Sequence, residues 1–214
     1  RVLKSDCLDL PEKVYTKRSV SLTAEQVKAY TEMKKAAITF FEENVMTAAS
    51  VLTQMIRLHQ IICGHVKTDD GEVKSIKSNR IKELLEVLEE TNGKVIIWAV
   101  YRYDIQEIEK TLGEKYGKES VATYYGDTKD NLRQSIVDRF MDANDPLRFF
   151  VGNPKTGGYG LTLTSSHTVV YYSNDYSLEV RLQSEDRAHR IGQTSKVTYV
   201  DLMADHTIDE KIVK

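Results

Sequence analysis

Lys94-Val95-Ile96-Ile97-Trp98-Ala99-Val100-Tyr101 decides the fold of this chain. After its lysine the run is continuously apolar, with no polar residue at alternate positions. A strand that faces water on one side alternates, whereas one covered on both faces does not. The run therefore predicts a central strand in a parallel sheet with helices on either side. Upstream, Ile81, Leu84, Leu85 and Leu88 fall at helical spacing and stop at Asn92-Gly93. Downstream, Asp104 with Glu107 is placed to cap a helix carrying Ile105, Ile108 and Leu112. Val121–Tyr125 follows as a strand ending at Gly126, and Leu132, Ile136 and Phe140 line another helix. Leu147–Val151, Thr168–Tyr172 and Val197–Leu202 read as three further strands. Strands alternating with helices in this way predict an α/β fold over 76–214, a three-layer parallel sheet with helices on both faces. Such sheets place ligands at the carboxyl ends of their strands. The loops after Tyr101, Tyr125, Val151 and Tyr172 are accordingly where chemistry is expected.

The first third has a different pattern. Thr23-Ala24-Glu25-Gln26 is a T-x-x-Q capping box, followed by Val27, Tyr30, Met33, Ala37 and Phe40 or Phe41 at helical spacing. Val51, Met55, Leu58 and Ile62 share one face of a second helix. The polar stretch Lys67–Ser75, with Asp69-Asp70-Gly71, sets the expected boundary, so 1–75 reads as a helical segment. Near the other end, Thr207-Ile208-Asp209-Glu210 is a T-x-x-E capping box opening a last helix, within which the chain stops at Lys214. It begins at Arg1 rather than Met, and both ends read as those of a piece of a longer protein.

The 214 residues are 41% hydrophobic and 29% charged, with a formal net charge of −2. No basic excess covers the whole chain, so any nucleic-acid contact must be a local groove of Lys, Arg and backbone amides. Two cysteines give no disulfide framework and point to a reducing compartment. Cys63 lies near His59 and His65, but three candidate ligands without a paired C-x-x-C are better read as helix packing, and no metal site is assigned. No apolar run approaches the ~20 residues of a membrane span and no signal peptide is visible.

Leu182-Gln183-Ser184-Glu185-Asp186-Arg187-Ala188-His189-Arg190-Ile191-Gly192-Gln193 sets a glutamine and two arginines at Q-x-x-x-R-x-x-R. Arginines three apart on a helix share a face, about 5–6 Å between Cβ atoms. Taken alone, such a pair is commonly a solvated helix face. Held side by side at a helix end, two guanidiniums suit a triphosphate, whose charge spreads over several oxygens. Gly152-Asn153-Pro154-Lys155-Thr156-Gly157-Gly158-Tyr159-Gly160-Leu161-Thr162 follows a strand and is rich in glycine, which lets backbone amides converge on a phosphate. No G-x-x-x-x-G-K-[ST] loop occurs anywhere, nor an acidic D-E-x-H or D-E-A-D motif. Arginines suited to a triphosphate are thus present without the parts that hold one, as in half of a two-lobed motor.

From about Leu10 to its end the chain resembles the second RecA-like lobe of Swi/Snf-type helicase-related ATPases, in helicase superfamily two. Leu10-Pro11-Glu12-Lys13, Leu22–Gln26 with Tyr30, and Leu58–His65 are similar to that family's inter-lobe helical region. Lys94–Tyr101 matches its motif IV, Gly126 with Arg133 and Phe140 its G…R…F pattern, Gly157–Thr164 its motif V, and Gln183–Gln193 its motif VI almost letter for letter. Asp175-Tyr176 stands where an aspartate-tryptophan pair is usual. Departures are Ala99-Val100-Tyr101 for serine-glutamine-phenylalanine, Asn153-Pro154 for serine-threonine, Thr162 for asparagine, and Tyr176-Ser177-Leu178 for tryptophan-asparagine-proline.

The resemblance implies a DNA-dependent ATPase or translocase in which ATP and Mg2+ are bound mainly by a first lobe absent from this sequence. Arg187 and Arg190 would be arginine fingers, with Gln183 orienting the same network as the third catalytic residue. Gly158, Gly160 and Asp186 would belong to the ATP-coupling motif. Lys155, Thr156, Gly157, Thr162, Thr164 and Tyr101 would touch nucleic acid. Expected partners are the first RecA-like lobe and DNA, in duplex form, with no membrane; the protein is expected to be a monomer and this piece inactive alone. The short helical region implies a compact bacterial or phage member, acting in the cytoplasm, or in the nucleus if eukaryotic. Two alternatives stand beside this reading: a DEAD-box-like RNA helicase lobe, which shares the core of Ala188–Gly192 but continues with arginine at the place of Gln193, and a non-catalytic α/β nucleic-acid-binding or scaffold module.

Overall fold

A computed structural model describes residues 10–43, 47–68, 70–156 and 160–213. The chain divides into two compact units, one running up to Arg18 and resuming over Glu86–Leu202, the other Ser19–Leu85 with Met203 onward.

The first unit is built on a six-stranded sheet. In chain order its strands are β1 (Lys13–Ser19), β4 (Lys94–Trp98), β5 (Val121–Tyr124), β6 (Phe149–Gly152), β7 (Ser166–Tyr171) and β8 (Val197–Met203), and they lie side by side as β1-β8-β7-β4-β6-β5. β2 (His65–Lys67) and β3 (Val73–Ser75) belong to the other unit. β4 pairs in parallel with β6 and β7, β5 with β6, and β7 with β8. Val95, Ile96, Ile97 and Trp98 are all buried. Since successive strand residues point to opposite faces, unbroken burial means both faces are covered, as the apolar run predicts. The helices between strands are α4 (Arg102–Tyr116), α5 (Asp130–Met141) and α6 (Leu178–Glu185). The architecture is α/β and RecA-like.

Two close fits set the register of the central strands. Ser166 Oγ donates 2.9 Å to the Lys94 carbonyl and accepts from the Thr168 amide, at the irregularity between Lys94 and Val95. Gly152 sits opposite Trp98. A Cβ there would lie 2.8 Å from the Trp98 ring and 3.1 Å from the Tyr124 carbonyl, so only glycine fits between these strands. From β4 the chain passes through β5 and β6 on one side, then crosses to β7 and β8 on the other. β4 is therefore the switch point, and the carboxyl-edge loops of β4, β6 and β7 meet there.

Several local expectations change. β1 falls within the stretch read from sequence as helical. The strand of motif IV stops at Trp98, and Tyr101 is the N-cap of α4, without a side-chain cap bond. Asp104 does not cap that helix; it is buried in its first turn.

In the second unit, the Thr23–Gln26 capping box forms as read: Thr23 Oγ1 accepts from the Gln26 amide and Gln26 Oε1 from the Thr23 amide, opening α1 (Ala24–Glu43). Gln26 Nε2 then donates to the Ile61 and Ile62 carbonyls near the end of α2 (Ala48–Cys63). Gly64 closes α2 at φ 99°, a conformation that favours glycine. The polar stretch after it is the antiparallel hairpin β2–β3. Arg80, first residue of α3 (Arg80–Glu89), is fully buried and pairs with Asp209, whose other oxygen lies 3.5 Å from His59 Nε2. His59 and Cys63 are thus buried on α2, and no group of three metal-ligating side chains gathers among the described residues. Thr207 does not cap α7 (Asp209–Ile212) as a T-x-x-E box; its hydroxyl takes the Asp209 amide, and Glu210 reaches the His206 amide instead. Among the described residues, no helix is long and apolar enough to cross a membrane.

Candidate functional site

The loops at the carboxyl edge are tied to one another through backbone groups. Asn153, just past β6, donates 2.8 Å to the Val100 carbonyl beyond β4, and its own amide donates to the Tyr124 carbonyl of β5. Ser173, beyond β7, accepts from the Val100 amide at 2.9 Å. The departure Asn153 is therefore a structural link between three strand ends. Leu163 and Ala188 are fully buried in one apolar cluster with Ile96, Trp98, Phe150 and Tyr171, and Leu161 packs against it. Motifs V and VI are in this way seated on the same face of the sheet.

α6 begins at the Ser177 cap, whose hydroxyl accepts from the Val180 amide, and it ends at Glu185. The two arginines therefore do not share a helix face. They lie in the turns that follow, and a backbone carbonyl brings them together. Arg187 Nη1 donates 3.3 Å to the Leu161 carbonyl and Arg190 Nη1 donates 3.1 Å to the same oxygen. Arg187 Nε also donates 3.0 Å to the Gln183 carbonyl, while the Arg187 carbonyl accepts from the Leu163 amide. Partial burial, and next the Arg190 charge beside it, hold the Arg187 guanidinium below its usual range. Two like charges converging on one acceptor suit an anion with several oxygens.

Gln193 fixes this arrangement from behind. It is 5% exposed, and its Nε2 lies 3.2, 3.0 and 3.1 Å from the carbonyls of Thr164, Ser166 and Ala188. Its Oε1 accepts from the amides of Thr194 and Ser195. One amide side chain thus bonds the end of motif V to both sides of the motif VI turn. An arginine here could donate but not accept. Gly192, at φ 99°, lets the chain reverse into that position.

A second network, missed in the sequence, anchors α6. Arg181 lies 3.5 Å above the Tyr171 ring and donates to Asn174, Asp201 and Glu185. Glu185, 3% exposed, also accepts from Lys13 Nζ at 2.9 Å and Tyr15 Oη at 2.8 Å. Burial pushes its carboxyl up, but the bonds from Arg181, Lys13 and Tyr15 outweigh that and hold it below the usual range. Charged residues at these spacings look like surface in a sequence, and only the sheet order brings β1 beside β8.

The remaining predicted site residues fall as follows. The Gln183 side chain donates to Glu179 along the exposed side of α6, so only its carbonyl meets the arginines. Asp186 is the C-cap of α6, 3.9 Å from Lys13 Nζ. The Lys155 side chain, 63% exposed, pairs at 2.9 Å with the half-buried Asp175, tying the glycine-rich loop to the loop after β7. Thr156, Thr162 and Thr164 are half-buried along the motif V loop, and Tyr101 is half-buried at the start of α4. Gly160 takes φ 79°. Gly157 and Gly158 lie outside the described residues.

Residues 76–192 match the helicase conserved C-terminal domain. Among proteins, the chain is 28% identical to the ATP-dependent helicase fft2 of Schizosaccharomyces pombe, over 94% of this chain and 16% of that protein. It is 31% identical to the putative ATP-dependent helicase/translocase YwqA of Bacillus subtilis, over 96% of this chain and 23% of that one. The chain spans at most about a quarter of these relatives. Among solved structures, the C-terminal part of the Fun30 ATPase domain superposes with a TM-score of 0.76 at 18% identity, covering 95% of this chain and 89% of that. The Sulfolobus solfataricus SWI2/SNF2 ATPase core in complex with dsDNA superposes with a TM-score of 0.77 at 24% identity, covering 99% and 45%. The chain belongs to the helicase conserved C-terminal domain family, and its fold is that of the C-terminal part of the Fun30 ATPase domain.

Proposed function

We propose that this lobe is the second half of a DNA-dependent ATPase that translocates on duplex DNA. The observation that carries the reading is the convergence of Arg187 and Arg190 on the Leu161 carbonyl. That carbonyl belongs to motif V, so a change in how the arginines engage phosphate moves the loop assigned to nucleic acid. Both guanidiniums fit the terminal phosphate of ATP as arginine fingers, completing a site whose phosphate loop lies on the first lobe. ATP supplies the phosphoryl group; this chain orients the arginines, and on lobe closure their charge meets the charge that develops in transfer. Magnesium would be held mainly by the first lobe together with the phosphates; among the described residues of this chain, no group of three or more His, Cys, Asp or Glu side chains is placed to hold a metal ion. Lys155, Thr156, Thr162 and Thr164 would contact one strand through phosphates, which makes binding salt-dependent and weakly sequence-selective. The dsDNA held by the Sulfolobus ATPase core supports the choice of duplex.

The test uses the full-length protein. Arg190→Ala is expected to leave ATP affinity within about threefold and to lower DNA-stimulated hydrolysis by about 10³-fold or more. Preserved turnover, or a loss that follows ATP affinity alone, would refute the finger role. The chain by itself is expected to hydrolyse no ATP, and robust DNA-stimulated hydrolysis by it would overturn the half-motor reading.

A further inference from the structure

Glu185 occupies a pivotal place in the site. Its carbonyl accepts from the amides of Ala188 and His189, closing the turn that carries Arg187, and Tyr199 Oη donates to the same oxygen at 3.0 Å. Its carboxylate is gripped from the opposite direction by Lys13 and Tyr15. These two residues belong to β1, over 160 positions away in the chain yet next to β8 in the sheet. The grip extends along the strand. His189 Nε2 lies 2.6 Å from the Pro11 carbonyl; a carbonyl only accepts, so the ring donates. The Val197 amide donates to the Glu12 carbonyl, and Lys196 pairs with Glu12 at 2.7 Å. The Tyr15 ring stacks on Tyr199 at 5.2 Å. Contacts from β1 and the residues before it thus begin at the last residue of α6, touch the arginine turn itself at His189 and continue beyond Arg190 at Lys196 and Val197.

We propose that β1 is the positioning strand of the arginine loop, with Lys13 and Tyr15 acting through Glu185 on Arg187 and Arg190. The proposal rests on the finger role argued above. Neither residue touches the reacting atoms: they act by holding Glu185, whose carbonyl sets where the arginine turn starts. Arg181 alone could hold Glu185 in the helix, since it reaches the other carboxylate oxygen from one turn away. What β1 adds is a fixed reference to the sheet, from outside motif VI.

The experiment measures steady-state ATP hydrolysis by the full-length protein with saturating duplex DNA. Lys13→Met with Tyr15→Phe removes both donors and keeps the ring stacking. It is expected to lower kcat by about tenfold, the effect of about 1.4 kcal/mol at the transition state, with KM for ATP within twofold. Lys13→Arg, which keeps a donor, is expected to restore most of kcat when Tyr15 is intact. Arg190→Lys supplies the second arm: combined with the β1 variants, it is expected to lose no more than it loses alone. Wild-type kcat in the β1 double variant overturns the proposal, and so do losses that multiply in full with Arg190→Lys. Lowered thermal stability with unchanged kcat also overturns it, since that marks a structural strand only. Failure of the finger reading shows separately, as wild-type turnover in Arg190→Lys alone.

Discussion

Gln193→Glu exchanges one nitrogen for one oxygen without changing the volume of the side chain. In the wild type, two amide protons are shared among the carbonyls of Thr164, Ser166 and Ala188, all within 3.2 Å of Nε2. A carboxylate there presents an acceptor to three acceptors while keeping the Thr194 and Ser195 amides on its other oxygen. Two lost hydrogen bonds cost about 1 kcal/mol each, and an anionic oxygen buried without a donor adds about 1–3 kcal/mol. The sum is about 3–5 kcal/mol above neutral pH. Protonation returns one donor, so the folded state raises the pKa of the new carboxyl above its unfolded value of about 4.3. A raised carboxyl pKa makes the gap to wild type largest above the folded pKa and smaller as pH falls through it, by about 1.4 kcal/mol per unit of elevation. Trp98 is the one tryptophan in the sequence and is buried in the cluster that seats both motifs. Its fluorescence during urea unfolding of wild type and variant, at about pH 8 and about pH 5.5, reads the effect. A deficit below about 1 kcal/mol at the higher pH, or one that does not change with pH, would refute the role given to Gln193.

Gly152→Ala is expected to destabilise the sheet unit by about 1–3 kcal/mol, because the new Cβ meets the Trp98 ring and the Tyr124 carbonyl. An unmoved urea midpoint in the same fluorescence assay would contradict that fit. Asp209→Asn breaks a buried pair with Arg80 and is expected to cost the second unit about 3–5 kcal/mol. Burial pushes the Asp209 carboxyl up, but Arg80 and then His59 overcome it and hold it well below its ordinary range. A depressed carboxyl stabilises above its unfolded pKa of about 3.9, and that contribution is lost as pH falls toward the folded value. Hydrogen exchange at the Ala204 amide, which donates 2.9 Å to Asp209, reads both effects. Protection should fall on acidification below about pH 4 in the wild type and be low throughout in Asp209→Asn; equal protection in the two would refute the pairing.

What the sequence makes legible here follows from where the information is stored. β4 is readable because burial on both faces demands apolar residues at every position, and Val95–Trp98 supply them. β1 is not readable, since Lys13-Val14-Tyr15-Thr16-Lys17-Arg18-Ser19 lies at a sheet edge, mostly half-buried or exposed, and alternates weakly. Its pairing with β8 depends on partners far away in the chain, so local pattern carries no trace of it. The letters of motif VI identify the arginines, but a helix drawn through them ends too late. Residues from Asp186 to Arg190 would suit a helix by propensity. Tertiary bonds decide otherwise: Leu161 claims both guanidiniums, Leu163 takes the Arg187 carbonyl, and Gln193 takes the Ala188 carbonyl.

The same contrast separates Gln183 from Gln193. Both are glutamines of one motif and look equivalent in the sequence. The first sits on an exposed helix face, where its amide satisfies Glu179 and leaves only its backbone to the arginines. The second is buried where three backbone carbonyls and two backbone amides must be satisfied together, and its amide both donates and accepts without a change of charge. Position within the fold therefore sets what each residue can do. The arginine pair is a property of the loop that Gln193 closes from one side and Glu185 from the other, so its geometry is controlled from outside the arginines themselves.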